Sequence, residues 1–126
     1  MPQITLEYTV NIGEETDFKN LFLQLHSVLE DTGKINIENC KSRALKLENY
    51  AIGKGETENA FVHLTVKILE GRPAELKQKI ADNLLNVLVK TYSVSKEQLN
   101  LQITVELLDI QRQFYFKYPG NTFTPI

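Results

Sequence analysis

The hydrophobic pattern of this chain changes period twice in the same order, and that doubling limits the fold more than any other feature. Over residues 4–10, Ile4, Leu6, Tyr8 and Val10 alternate with Thr5, Glu7 and Thr9, the period of a strand with one buried face. Phe18, Leu21, Phe22, Leu25, Val28 and Leu29 then recur at helical spacing within residues 16–32. Thr16 is placed to cap that helix and Gly33 to end it. A weaker extended stretch follows at 39–51, closed by the turn Gly53-Lys54-Gly55. The second half repeats the order, with a strand at 61–69 and a helix from 73 to about 92 that buries Leu76, Ile80, Leu84, Val87 and Leu88. Pro73 suits the first turn of that helix, where a missing N–H has no intrahelical partner to lose. After a capped turn at 95–98, Leu101, Ile103, Val105 and Leu107 alternate with Gln102, Thr104 and Glu106 in a last strand. The tail is aromatic and polar, with turn chemistry at Pro119-Gly120-Asn121.

Strand, helix, strand, repeated, predicts an α/β (α+β) fold of tandem βαβ units sharing a four-stranded mixed sheet, with two helices on one face. The length of 126 residues fits one domain, 1–126. The opposite face of the sheet keeps some apolar side chains, and in so short a chain another subunit is the expected cover.

Several function classes are poorly served by this residue inventory. A net charge of −2, with 14 basic residues scattered along the chain, gives no attraction for nucleic acid. Neither a signal-like apolar segment at the start nor a membrane-length apolar run is present, and Cys40 is the single cysteine; a cytoplasmic protein without a disulfide framework or membrane anchor is expected. His26 and His63 lie far apart without HExxH or CxxC spacing, so no metal site is predicted. Cys40 has no activating partner nearby in sequence, there is no GxSxG elbow, and no phosphate-binding glycine motif occurs, so no cofactor is expected either.

Met1-Pro2 is different. A small second residue favours removal of the initiator methionine, and the product would be a secondary amine at the chain end, a group no other residue supplies. An α-amino group titrates at roughly 7.7 to 8.0, and burial or nearby cations lower that value by disfavouring the ammonium form. Neutral near pH 7, such an amine is a competent general base.

The run Ala60-Phe61-Val62-His63-Leu64-Thr65-Val66-Lys67-Ile68, followed by Gly71-Arg72, resembles the central strand and following turn of the 5-carboxymethyl-2-hydroxymuconate isomerases of the tautomerase superfamily. The likeness takes in Met1-Pro2, Asn11-Ile12, Leu21-Phe22, Thr32-Gly33, Ser42-Arg43 and Phe116-Lys117, in collinear order along the chain. It implies a tautomerase-like fold, a homotrimer with active sites between subunits, and a small dicarboxylate or tricarboxylate substrate from aromatic-compound catabolism. It also implies that Pro2 moves a proton between carbon positions of an unsaturated 2-hydroxy acid while Arg43 and Arg72 hold carboxylate and enolate oxygens. Guanidinium groups suit that task, because they bind carboxylates in bidentate fashion and their charge also favours a neutral amine nearby. Between Arg43 and the turn the chain reads Ala44-Leu45-Lys46-Leu47-Glu48-Asn49-Tyr50 and has no tryptophan, where the family pattern carries a more aromatic segment. Two other readings of the same chain are a hydratase or dehalogenase that uses a protonated Pro2 as acid, and an oligomeric binding module that keeps the fold without catalysis.

Overall fold

The computed structural model describes residues 1–120. Strand β1 (Gln3–Thr9) leads into helix α1 (Phe18–Asp31) and strand β2 (Lys41–Leu47). Strand β3 (Asn59–Leu69) leads into helices α2 (Ala74–Thr91) and α3 (Ser93–Gln98) and then strand β4 (Asn100–Ile110). A short 3-10 turn, Arg112–Phe114, follows. The sheet order is β2-β1-β3-β4, with β1 parallel to β2, β3 parallel to β4, and β1 antiparallel to β3 at the centre. The two βαβ units therefore meet along their first strands, which is the tandem arrangement predicted from the doubled period.

The alternation sorts every strand into two faces. Ile4 and Leu6 of β1 and Ala60, Val62, Leu64 and Val66 of β3 are fully buried and pack against Leu21, Leu25 and Leu29 of α1 and Ile80, Leu84 and Leu88 of α2. Both long helices thus cover the same face. The other face is mostly polar: Thr5 stands beside Arg43 and Thr65, Glu7 beside His63, and His63 beside Thr104. His63 Nδ1 lies 2.6 Å from Thr104 Oγ1, and Nε2 lies 3.6 Å from Glu106. Apolar side chains also reach this face, with Leu45 and Leu108 exposed and Leu47, Phe61 and Ile110 partly so. The second face is thus partly apolar, as expected, with Leu45, Phe61, Leu108 and Ile110 among its polar side chains.

One local expectation is corrected. Asp17, not Thr16, caps α1: its side chain accepts from the Asn20 N–H at 3.1 Å, while the Thr16 hydroxyl reaches Tyr92 Oη at 3.4 Å. Asp is an equally good cap, and starting the helix one residue later frees Thr16 to tie the loop to the end of α2. Gly33 does stand just past the end of α1, after the cap Thr32, but the residue with positive φ is Lys34, at 54°. Space explains the glycine: a Cβ at Gly33 would lie 2.8 Å from the Leu29 carbonyl oxygen and 2.9 Å from Ile80 Cδ1. Gly33 therefore lets the end of α1 close on α2. Gly33→Ala is expected to destabilise the fold by about 1 to 3 kcal/mol through overpacking, read as a lower midpoint in urea unfolding. The expected turn at Pro119-Gly120-Asn121 extends into Asn121, which lies outside the described residues.

Candidate active site

Pro2 sits at the start of β1, buried, on the side of the sheet that the helices cover. Its carbonyl accepts the Lys41 N–H at 3.0 Å, extending the ladder between β1 and β2 by one residue. Beside it is a pocket of about 160 Å³ lined by Met1, Pro2, Asn36, Asn39, Leu69 and Arg72, among others. Arg72 reaches this pocket because Gly71 turns the chain out of β3 at φ 113°, a backbone region that favours glycine. The half-buried guanidinium then folds back, with Nη1 donating to the Leu69 carbonyl at 3.1 Å. One edge of the fork is tied to the strand end, and a guanidinium has five N–H donors in all.

The Met1 ammonium donates to the Asn39 carbonyl at 2.9 Å, and Lys41 Nζ donates to the same oxygen at 3.1 Å. Burial lowers the amine's pKa below its ordinary 8.0, and the charges of Lys41 and then Lys117 lower it further, against an opposing effect from Cys40. The described surroundings of the chain start therefore favour a neutral amine. Cys40 itself is held as a thiol: burial pushes its pKa up, outweighing the hydrogen bond to Ser42 and the nearby cations. Ser42 Oγ also lies 2.7 Å from His26 Nε2, whose pKa burial lowers. His26 is thus a neutral side chain that links α1 to Ser42 of β2.

Arg43 lies elsewhere. It projects from β2 onto the open face, where it donates to Thr5 Oγ1 at 3.3 Å and to Gln3 Oε1. Gln3 in turn donates from Nε2 to Tyr115 Oη at 2.9 Å, which ties the tail to the sheet. Arg43 lines a larger pocket, of about 620 Å³, with Gln3, Thr5, Thr65, Lys67 and Tyr115 on its polar side and Leu108 and Ile110 on its apolar side. The structure thus brings Pro2 and Arg72 together and sets Arg43 on the other side of the sheet. The two pockets adjoin at the end of the sheet: the successive residues Pro2 and Gln3 line one each, as do Leu69 and Ile110, which pair between β3 and β4.

Lys41 and Lys67 were not singled out from sequence, where each looks like an ordinary solvated lysine. The signal lay in register: on strands running beside β1, Lys41 and Lys67 both fall opposite Gln3, next to Pro2. Among the described residues, no three His, Cys, Asp or Glu side chains converge as a metal site would need, and no helix is long and apolar enough to cross a membrane.

Comparison with known proteins agrees with this geometry. A solved structure of a 5-carboxymethyl-2-hydroxymuconate isomerase from Deinococcus radiodurans R1 superposes with a TM-score of 0.82 at 30% identity, covering 92% of this chain and 87% of that one. A 5-carboxymethyl-2-hydroxymuconate Delta-isomerase of Escherichia coli is 27% identical over 117 residues, 93% of each chain. A fused 4-OT wild type symmetric trimer shares the fold, with a TM-score of 0.74 at 16% identity over 94% of this chain and 93% of that one. The family model for 5-carboxymethyl-2-hydroxymuconate isomerase matches residues 2–121. With its four-stranded mixed sheet and two covering helices, the chain is an isomerase of the tautomerase superfamily and belongs to the 5-carboxymethyl-2-hydroxymuconate isomerase family.

Proposed function

We propose that this isomerase moves a proton between carbon positions of an unsaturated 2-hydroxy or 2-oxo acid like 5-carboxymethyl-2-hydroxymuconate, with the Pro2 nitrogen as base and then acid. The observation that carries this reading is the shared pocket of Pro2 and Arg72, beside a chain start where burial and Lys41 lower the pKa of the Met1 amine. With Met1 removed, the Pro2 nitrogen takes over the role of that terminal amine. It accepts the proton of the substrate's enol or of an acidic carbon, and the electrons move into a conjugated dienolate. Arg72 holds a carboxylate or the developing enolate oxygen with the part of its fork not tied to Leu69, and so lowers the energy of the charge as it forms. The prolinium then returns the proton to a different carbon. Arg43 binds a further carboxylate from the open face.

We further propose a homotrimer, on the likeness to the symmetric trimers of the fused 4-OT structures. Arg43 turns away from the Pro2 pocket of its own chain, which suits a site shared between copies. A cytoplasmic enzyme of aromatic-compound catabolism fits a half-buried free thiol and a polar, carboxylate-binding site.

The test is enol-to-keto conversion of 2-hydroxymuconate and of phenylenolpyruvate, followed by ultraviolet absorbance, with protein whose mass lacks one methionine. Turnover of either supports the reading, and no turnover of both overturns it. The pH profile adds a prediction. A base works only when unprotonated, so kcat/KM should fall on the acid side as the prolinium forms; burial and nearby cations of the kind that lower the Met1 amine's pKa should place that midpoint below the ordinary amine value. Lys41→Met removes a charge that lowers the pKa of the Met1 amine and lies next to Pro2 in register, and is expected to move the acid limb to higher pH. An unmoved limb would exclude Lys41 from base activation.

A further inference from the structure

Gln3 is joined to Pro2 by the chain and to Arg43 by a hydrogen bond, and both ends of its amide are engaged. Oε1 accepts from Arg43 Nη2, and Nε2 donates to Tyr115 Oη at 2.9 Å. The partners dictate that orientation: a guanidinium carries donors only, so the amide oxygen must face Arg43 and the NH2 end must face the phenol oxygen. Arg43 Nη1 is tied in turn to Thr5 Oγ1 at 3.3 Å. Both terminal nitrogens of the fork are thus held from β1, by residues two apart on one side of the strand.

The chemical type of these acceptors matters as much as their place. Gln3 and Thr5 are uncharged, and among the described residues Arg43 forms no ion pair. The guanidinium is therefore fixed in direction while its charge stays uncancelled. A carboxylate at position 3 would grip the fork more strongly, but would neutralise it. The far end of the Gln3 amide is fixed by the tail. After the 3-10 turn, where the Arg112 N–H donates to Glu70 Oε2 at 2.8 Å, the Tyr115 N–H donates to the Arg112 carbonyl at 3.2 Å. Tyr115 is half-buried between Phe114 and Phe116, which are 70% and 65% exposed, so the tail turns this phenol toward the sheet and its neighbours away. Gln3, Arg43 and Tyr115 all line the larger pocket.

We infer that Gln3 and Tyr115 are positioning residues: the tail phenol fixes the Gln3 amide, and that amide holds the Arg43 guanidinium, its charge intact, in the direction from which it binds substrate. The inference deepens the proposed function and rests on it in giving Arg43 a substrate carboxylate. A long side chain ordered in advance does not have to be ordered by its ligand, so the effect falls on binding and leaves the proton transfer to Pro2.

Kinetics on 2-hydroxymuconate provide the test. Gln3→Met keeps the length and removes both bonds. It should raise KM about three- to tenfold, the range expected when the ligand itself must immobilise a long side chain, with kcat held within about twofold. Tyr115→Phe should raise KM in the same direction and add nothing to Gln3→Met, because the two act in one hydrogen-bonded chain. In an Arg43→Met background, Gln3→Met should change KM by less than about 1.5-fold, a coupling that a residue merely supporting the fold would not show. Gln3→Glu should raise KM at least as much as Gln3→Met, since it holds Arg43 more tightly and cancels its charge. A KM unmoved by Gln3→Met or by Tyr115→Phe, or the same loss with and without Arg43, would overturn the inference. Titration calorimetry with adipate separates its failure from that of the proposed function. Gln3→Met should weaken adipate binding about three- to tenfold in the wild-type and Pro2→Ala backgrounds, and not in Arg43→Met. That pattern upholds the positioning even if no enol is turned over, and adipate bound equally with and without Gln3 overturns it even if both enols are.

Discussion

Keeping an acyl group on the Pro2 nitrogen, by an uncleavable extension ahead of it, is expected to lower kcat/KM on 2-hydroxymuconate by about 10²- to 10⁴-fold, the usual contribution of a positioned general base. The reason is electronic. In a peptide bond the nitrogen lone pair is delocalised into the carbonyl, so an acylated proline has no basicity at neutral pH. The fold is expected to survive, because the contact Pro2 makes to the ladder uses its carbonyl, bonded to the Lys41 N–H, and not its nitrogen. Unfolding midpoints of the extended and processed proteins should agree while their turnover differs. Pro2→Ala complements this: it leaves a primary amine without the ring that fixes its direction, and turnover should fall substantially without reaching the level of the blocked chain. Equal rates in wild type and both variants would remove Pro2 from the mechanism and favour the reading of a fold kept without catalysis.

What could be read from the amino acids alone divides along a physical line. Strand and helix placement was legible because alternation and 3.6-residue spacing report which side of an element is buried, and β3, with Ala60, Val62, Leu64 and Val66 all inward, shows the pattern most cleanly. Caps and chain reversals were less legible. Thr16 and Asp17 are both good caps, and Gly33 can serve as a left-handed stop or as a place of close approach; only the position of Ile80, 47 residues later in the chain, decides for the second. The face of the sheet was the hardest to foresee. Arg43 is one strand residue away from Ser42, and that step sends it to the open side while Ser42 turns inward to His26. Resemblance singled out Pro2, Arg43 and Arg72 as a set, but it carries no information on which side of this sheet each one stands.

Arg72→Ala is expected to cost about 10²- to 10³-fold in kcat, comparable to removing one donor from a site built for a developing oxyanion. Arg72 stands in the Pro2 pocket on the geometry of its own loop: the positive φ of Gly71 starts the turn, and the Leu69 carbonyl anchors one edge of the fork. That anchor makes the guanidinium hard to replace. Arg72→Lys keeps the charge, but an ammonium is a compact point charge with three donors and cannot hold the strand end and grip a carboxylate in bidentate fashion at once. Lysine should therefore recover the charge-dependent part of binding, seen as a KM near that of the wild type, while kcat remains about tenfold or more below it. Stability should change by only about 1 kcal/mol in either variant, because the side chain is half-buried and makes one hydrogen bond to the backbone. A kcat unaffected by Arg72→Ala would mean that the enolate charge is met elsewhere, and would leave Lys41, which shares the Asn39 carbonyl with the chain terminus, as the nearest described cation to replace it.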